Sequence, residues 1–394
     1  MLFIFLFLVS CNSDNNIKDN LKLNVFKINP KLSDEIFLSE IFSKIDYIPL
    51  ESDSISLIGS INSMKIYGDF IFINDGDQIF QFYKDGSYID KFGNKGKGPG
   101  EYINLKDFQV DTINNVLEIL DLNGQKIIYY SLTGEFIGQW DLGLYAYDYY
   151  KLNDANYIFY SGYEKNSNTN FSLNVLEKHQ KEITQKYFPI NKNMAWYYYL
   201  MQERHFYAKG DSLFCFRSPF DTIYYIQENE IIPSRVLDFG EHKMPLSFIH
   251  NKFEDIFEYG IKADENSYVH HVNHLIENDL YLFFTFRYKE EKMQYFFNKK
   301  VSREWLGGTL INDLKLNGLK TQADYNYIPR AYDEDAFYYV VEPYLLLDQL
   351  KDVREKCNNN QWEQYLNNNP DIKEITQTVN LDSNPIISIN YIKQ

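Results

Sequence analysis

The stretch FGNKGKGPGEY, residues 92–102, places four glycines and a proline within positions 93–100. Lysines set among glycines have the composition of a phosphate-binding loop. The spacing is wrong for one: a phosphate cradle reads G-x-x-x-x-G-K-[ST], or G-x-G-x-x-G at the start of a helix. Gly93, Gly96, Gly98, Pro99, Gly100, Glu101 and Tyr102 fit neither pattern. They sit between SYIDKF (87–92) and YINLKDFQVD (102–111), both of which read as strands. The stretch is therefore expected to be a crossover from the outer strand of one sheet to the inner strand of the next. Glycine admits the positive φ values of the reversal and proline stiffens the path.

Working outward, one pattern recurs six times: a turn, a short apolar-aromatic strand ending in a polar residue, a gap, and a second strand. The copies are GDFIFIND (68–75) with QIFQFYKDG (78–86), and NNVLEILD (114–121) with QKIIYYSLTG (125–134). NDANYIFYS (153–161) with FSLNVLEK (171–178), and GDSLFCFR (210–217) with DTIYYIQEN (221–229), come next. The last are ENDLYLFFTFR (277–287) with KMQYFFNKK (292–300), and DEDAFYYVVE (333–342) with NPIISINYI (384–392). From Phe70 to Phe337 the copies recur on average about every 53 residues, close to the roughly 40–50 of a four-stranded propeller blade plus insertions. The expected fold is all-β, a six-bladed β-propeller over residues 40–394; a β-sandwich with long loops is the alternative. The sixth copy runs into the C-terminus without a fourth strand. KIDYIPLE (44–51) precedes the first inner strand, INSMKIY (61–67), and is expected to complete the last blade, removing an exposed edge.

Composition agrees. Aromatic residues make up 17% of the 394, with 34 Tyr and 30 Phe, which favours pleated, half-buried strands. A net charge of −16 argues against nucleic acid and against docking on an anionic bilayer through basic patches. Residues 2–9 are continuously apolar, too few to span a bilayer and suited to a secretory signal. Leu8-Val9-Ser10-Cys11 resembles the lipobox of bacterial lipoproteins. The expected organisation is a signal peptide at 1–10, a lipidated Cys11 with a polar tether at 11–39, and the propeller beyond. That implies an outer-membrane lipid anchor facing the periplasm or cell surface, with no other membrane contact. Cys215 and Cys357 make no disulfide framework.

IDYIPLE (45–51), the glycine stretch and SNPIISIN (383–390) resemble the signature segments of the six-bladed β-propeller lipoproteins of Bacteroidetes. The repeat itself resembles the NHL-type blade. The resemblance implies a fold and a cellular address, but no reaction.

Strand parity puts the glycine loop and the ends of the second strands on one face. Those ends are Asp75, Asp121, Ser161, Arg217, Arg287 and Glu342, a candidate polar binding face or else locally bonded strand ends. Residues 344–367 carry Leu346, Leu347, Leu350, Val353 and Cys357 at helical spacing. This helical insertion is expected over or beside the channel mouth, as packing, gate or partner site. In HHVNH, His270 and His274 on a strand would lie about 13 Å apart, too far for one metal ion. No G-x-S-x-G elbow occurs, and no catalytic residue, metal ligand set or cofactor is assigned. The expected function is a binding or scaffold module for a protein, peptide or glycan. The alternative is a metal-assisted hydrolase or lyase in the central channel, drawing on Asp107, Asp111, Asp148, His270 and His274.

Overall fold

A computed structural model describes residues 23–163, 168–200, 204–227, 230–317, 319–322 and 327–394; the apolar leader and Cys11 lie outside them. Six antiparallel sheets follow one another. The first holds Ser63–Tyr67, Phe70–Asn74, Ile79–Tyr83 and Tyr88–Phe92, and the second Leu105–Asp111, Val116–Asp121, Lys126–Ser131 and Phe136–Asp141. The third holds Asp148–Lys151, Asn156–Tyr160, Phe171–Glu177 and Ile183–Pro189, and the fourth Phe206–Lys209, Ser212–Phe216, Thr222–Gln227 and Glu230–Asp238. The fifth holds His270–Glu277, Tyr281–Tyr288, Glu291–Asn298 and Arg303–Gly307. The sixth orders Pro329–Tyr332, Ala336–Val341 and Ile386–Ile392, with Phe42–Pro49 from the N-terminal region as its outer strand. Each recurring sequence pair forms the second and third strands of one sheet.

Burial explains the strand compositions. Second strands such as Val116–Asp121 are buried almost throughout because sheets cover both of their faces, so they read as continuous apolar runs. Inner strands alternate, as in Leu105–Asp111, and outer strands such as Phe136–Asp141 are largely exposed. Each sheet packs on its successor: Phe72 meets Phe108 and Ile119, Leu120 meets Tyr149 and Phe159, and Ile158 meets Phe206 and Cys215. Phe214 then joins Phe284 and Tyr295, and Phe283 joins Phe337 and Tyr339. The sixth sheet packs on the first, through Tyr338, Ile387 and Ile389 with Met64, Ile71 and Phe80. The architecture is propeller-like.

Two expectations are corrected. Structure begins well inside the expected tether. Asn24–Lys27 adds a parallel strand to the outer edge of the fourth sheet, and Glu35–Phe37 pairs parallel with Thr309–Asn312. Gly307 permits that second docking, since a Cβ there would lie 2.0 Å from the Asp34 carbonyl oxygen. The insertion is larger than 344–367 and comprises three helices, Pro343–Glu355, Asn359–Asn368 and Pro370–Thr378. Its apolar stripe of Leu346, Leu350, Val353, Ile372 and Ile375 packs with Phe42, Ile45 and Tyr47 rather than over the channel. Asp371 fastens it, accepting from the Tyr47 amide at 3.0 Å and pairing with Lys315 at 2.8 Å. No helix among the described residues is long and apolar enough to cross a membrane.

Candidate functional site

Each inner strand pairs along one edge with its own sheet and leaves the other edge toward the middle of the molecule. Together they enclose a cavity of about 650 Å³, lined from the first, second, third, fourth and sixth sheets. It widens toward the turns between first and second strands, where Ile113 is 89% exposed. Lys65, Asp107, Asp148, Arg204 and Arg330 form its inner part, followed by Tyr67, Gln109, Tyr150 and Tyr332. Asp111, Lys151, Asp333 and Glu334 stand at the rim.

The inner part is a charged network. Lys65 Nζ pairs with Asp107 Oδ1 at 2.8 Å and also donates to the Phe108 carbonyl. Burial opposes the Lys65 charge, yet the Asp107 carboxylate, Tyr67 and the Asp148 carboxylate outweigh it, and its pKa rises. Asp148 is held by backbone amides, from Tyr149 at 2.7 Å and His205 at 2.6 Å. Burial first, and then the Asp107 charge beside it, push the Asp148 carboxyl up to about 8. Both causes favour the neutral form of Asp148 over its carboxylate. Asp107 Oδ2 is buried and has no hydrogen-bond partner among the described residues. Arg204 donates to the Arg330 carbonyl at 2.9 Å and lies 5.4 Å over the Tyr332 ring. Arg330 is 4% exposed, and burial lowers its pKa to about 10.

At the rim the acids are engaged. Asp111 pairs with Lys151 at 3.2 Å; burial opposes its charge, but Asn114 and Lys151 hold its pKa near 2. Asp333 meets Lys84 at 3.2 Å and accepts from the Tyr338 hydroxyl at 2.6 Å. Glu334 accepts from the Asp279 amide at 3.1 Å.

The structure thus brings Asp107, Asp111 and Asp148 to one cavity and leaves His270 and His274 outside its lining. The histidine strand is not regular. Register shifts flank Asn273, and His271 and His274 both have φ of 53°. His270 Nε2 contacts Asp264 Oδ1 at 2.9 Å, its Nδ1 faces His271 Nδ1, and His274 Nδ1 meets Thr285 Oγ1 at 2.8 Å. Among the described residues no three His, Cys, Asp or Glu side chains gather as a metal-holding group.

None of the six strand-end residues lines the cavity. Asp121 is fully buried and accepts from the amides of Ile103, Asn104 and Gly124, tying the crossover to its sheet. Asp75 accepts from the Asp77 and Gln78 amides. Ser161 and Arg217 are buried, Ser161 accepting from Asn174 and Arg217 donating to Ser172 while stacking 3.5 Å from Phe188. Arg287 donates to the Glu290 carbonyl, and Glu342 precedes the helix Pro343–Glu355.

The glycine crossover fills its own hollow. Gly98 N donates to Glu101 Oε2 at 2.7 Å, which sets a carboxylate where a phosphate would need to sit. Gly93 and Gly100 take φ of 82° and 76°. Gly96 is required for a different reason: a Cβ there would lie 2.1 Å from Glu101 Oε2. Pro99 is exposed, whereas Tyr102 is fully buried and donates to the Asp77 carbonyl. The sequence reading nominates none of Lys65, Arg204 and Arg330. The available signal is a basic residue inside an otherwise apolar inner strand, as in SMKIY (63–67) and PRAY (329–332).

Fold and site together define a propeller-like β protein with a polar, charged central cavity. The chain belongs to the family described as a domain of unknown function, DUF4934, whose profile matches residues 23–390. No curated protein matches it. A Bacteroides fragilis protein described as exported is similar in structure, with a TM-score of 0.72 at 19% identity, over 95% of this chain and 100% of that one. A DUF4221 member from Bacteroides vulgatus has a TM-score of 0.48 at 10% identity, over 90% and 98% of the two chains. For virginiamycin B lyase of Staphylococcus aureus the TM-score is 0.37 at 11% identity, over 73% and 77%.

Proposed function

We propose that this chain is an exported, six-bladed β-propeller that binds a small polar ligand, a short peptide or a glycan, in its central cavity. In this reading Phe42–Pro49 closes the ring, the blades are NHL-like, and a lipid on Cys11 holds the domain at the outer membrane. Export is supported by the similar Bacteroides protein described as exported, and anchoring by the lipobox-like LVSC at 8–11. The observation that carries the binding role is the cavity itself. Its volume falls within the roughly 300–1,000 Å³ of small-molecule sites, and five sheets contribute side chains of both charges and tyrosine rings.

The test is thermal unfolding with a panel of short peptides and oligosaccharides, on the native chain and on Ala208→Trp, which fills the cavity from its wall. A ligand at a hundred times its dissociation constant adds about 2.7 kcal/mol, a shift of a few degrees. Loss of that shift in Ala208→Trp is expected. A shift that persists would move the ligand elsewhere, with the face carrying Asp75 and Arg287 next in line.

A second reading rests on the carboxyl pair. A buried acid whose pKa is raised, with a second carboxyl beside it, is the arrangement of a general acid and base. It supports a hydrolase or lyase acting through Asp148 and Asp107. Turnover of a bound ligand by the native chain but not by Asp148→Asn would establish it; ligand recovered intact would leave a binding module.

A further inference from the structure

Resting on the cavity reading above, we infer that the ligand is a carboxylate-bearing solute whose anionic group seats on Arg204, with Arg330 beside it. In the inner cavity Lys65 is matched by Asp107 at 2.8 Å, and burial disfavours the charged form of Asp148. Among the described residues Arg204 forms no ion pair; it donates to the Arg330 carbonyl and lies over the Tyr332 ring. One N–H is spent on that carbonyl, which restrains the plane of a group that lines the cavity and has further donors. A planar guanidinium held this way matches the two oxygens of a carboxylate. Arg330, 4% exposed, lines the same cavity, and where water is scarce a charge interaction with Arg204 is stronger than at the surface.

The rim limits what passes. Asp111 and Asp333 are matched by Lys151 and Lys84, and Glu334 adds a further carboxylate at the mouth, which disfavours a polyanion and admits one carboxylate on a neutral or amino-bearing body. The cavity supplies no glycine nest, and its lysines at 65 and 151 are already paired with carboxylates. A polyphosphate is therefore a poor fit. Two sources share the favoured chemistry, a uronic acid within a glycan and the C-terminus of a short peptide.

The experiment is isothermal titration of the full chain with four compounds: a uronic-acid disaccharide, its methyl ester, a tripeptide with a free C-terminus, and its amide. One free acid should bind, and masking its carboxylate should weaken binding about 10–100-fold, as should Arg204→Gln, since hydrogen bonds to a charged group are worth about 1.5–3 kcal/mol. Arg204→Lys, which keeps the charge but not the fork, should fall between, and the melting temperatures of both variants report that the fold is kept. Which acid binds decides between glycan and peptide. Equal binding of a masked compound overturns the inference, as does silence from both acids. If masked ligands bind and Ala208→Trp still abolishes binding, the cavity reading stands and the carboxylate inference alone fails.

Discussion

Lys65 and Asp107 join the first and second sheets through an ion pair of 2.8 Å whose side chains are 19% and 10% exposed. Removing one partner strands the other in a poorly solvated site. Lys65→Met is expected to cost about 3–5 kcal/mol of stability, whereas Lys65→Met with Asp107→Leu should recover most of it. Urea denaturation of the two variants checks this. A loss below about 1 kcal/mol for the single variant would mean that the pair is solvated like a surface one.

Asp148 makes stability depend on pH. Its carboxyl is raised to about 8, by burial first and the Asp107 charge second, against about 3.9 in an unfolded chain. Between those values the folded state binds the extra proton, so stability falls as pH rises, and the fall ends once pH passes about 8. Near pH 6.5 the buried histidines still titrate in the unfolded chain and add a slope of opposite sign, so the comparison with Asp148→Asn isolates the effect. Between pH 6.5 and 8, denaturant midpoints of the native chain should drop relative to those of Asp148→Asn. Parallel profiles would assign Asp148 an ordinary carboxylate pKa.

The histidines act in the opposite direction. Burial, and next the positive charge of Lys292, hold His274 at about 3; burial and then His270 do the same for His271. A base with a depressed pKa stabilises the fold above its unfolded value near 6.5, and that contribution is lost as pH falls toward 3. His274→Gln preserves a partner for Thr285 and removes the titration. Its stability should decline less than that of the native chain between pH 6.5 and 4.5, measured by the same denaturant midpoints.

Gly96→Ala should cost about 1–2 kcal/mol, because the new methyl displaces Glu101 and breaks its bond from the Gly98 amide. Since both changes act through one carboxylate, Gly96→Ala combined with Glu101→Ala should cost little more than Glu101→Ala alone. Additive losses in thermal unfolding would place the strain somewhere other than at Glu101.

The six sheets were legible because second and third strands are covered on both faces, so apolar runs such as FIFIN at 70–74 stand out against their turns. The helix Ile256–Glu265 was not, although Asp255 caps it by accepting from the amides of Phe257 and Glu258. Exposed Phe257 and Ile261 blur its apolar periodicity. Asn24–Lys27 was hidden for a similar reason: it sits on an outer edge and buries little. Three of the cavity acids, Asp107, Asp111 and Asp148, were nominated from their place on inner strands. Their basic partners were not, because nothing local marks a lysine or arginine whose counter-charge stands on the next sheet. The strand carrying His270 and His274 is less regular than the spacing assumed, interrupted by register shifts and two positive φ values that no local sequence signal marks.

The pairing of Phe42–Pro49 with Ile386–Ile392 sets an order on biosynthesis. A ribosome releases the first of these segments long before the second, and loop closure over nearly the whole chain must precede their contact. Until then Phe42, Ile45 and Tyr47, all buried in the finished fold, have no strand to lie against. A nascent chain stalled short of Ile386 therefore presents an unsatisfied apolar segment at one end and an open sheet edge at the other. Both are templates for aggregation, so in this topology the unfinished chain stays exposed until its last strand is made.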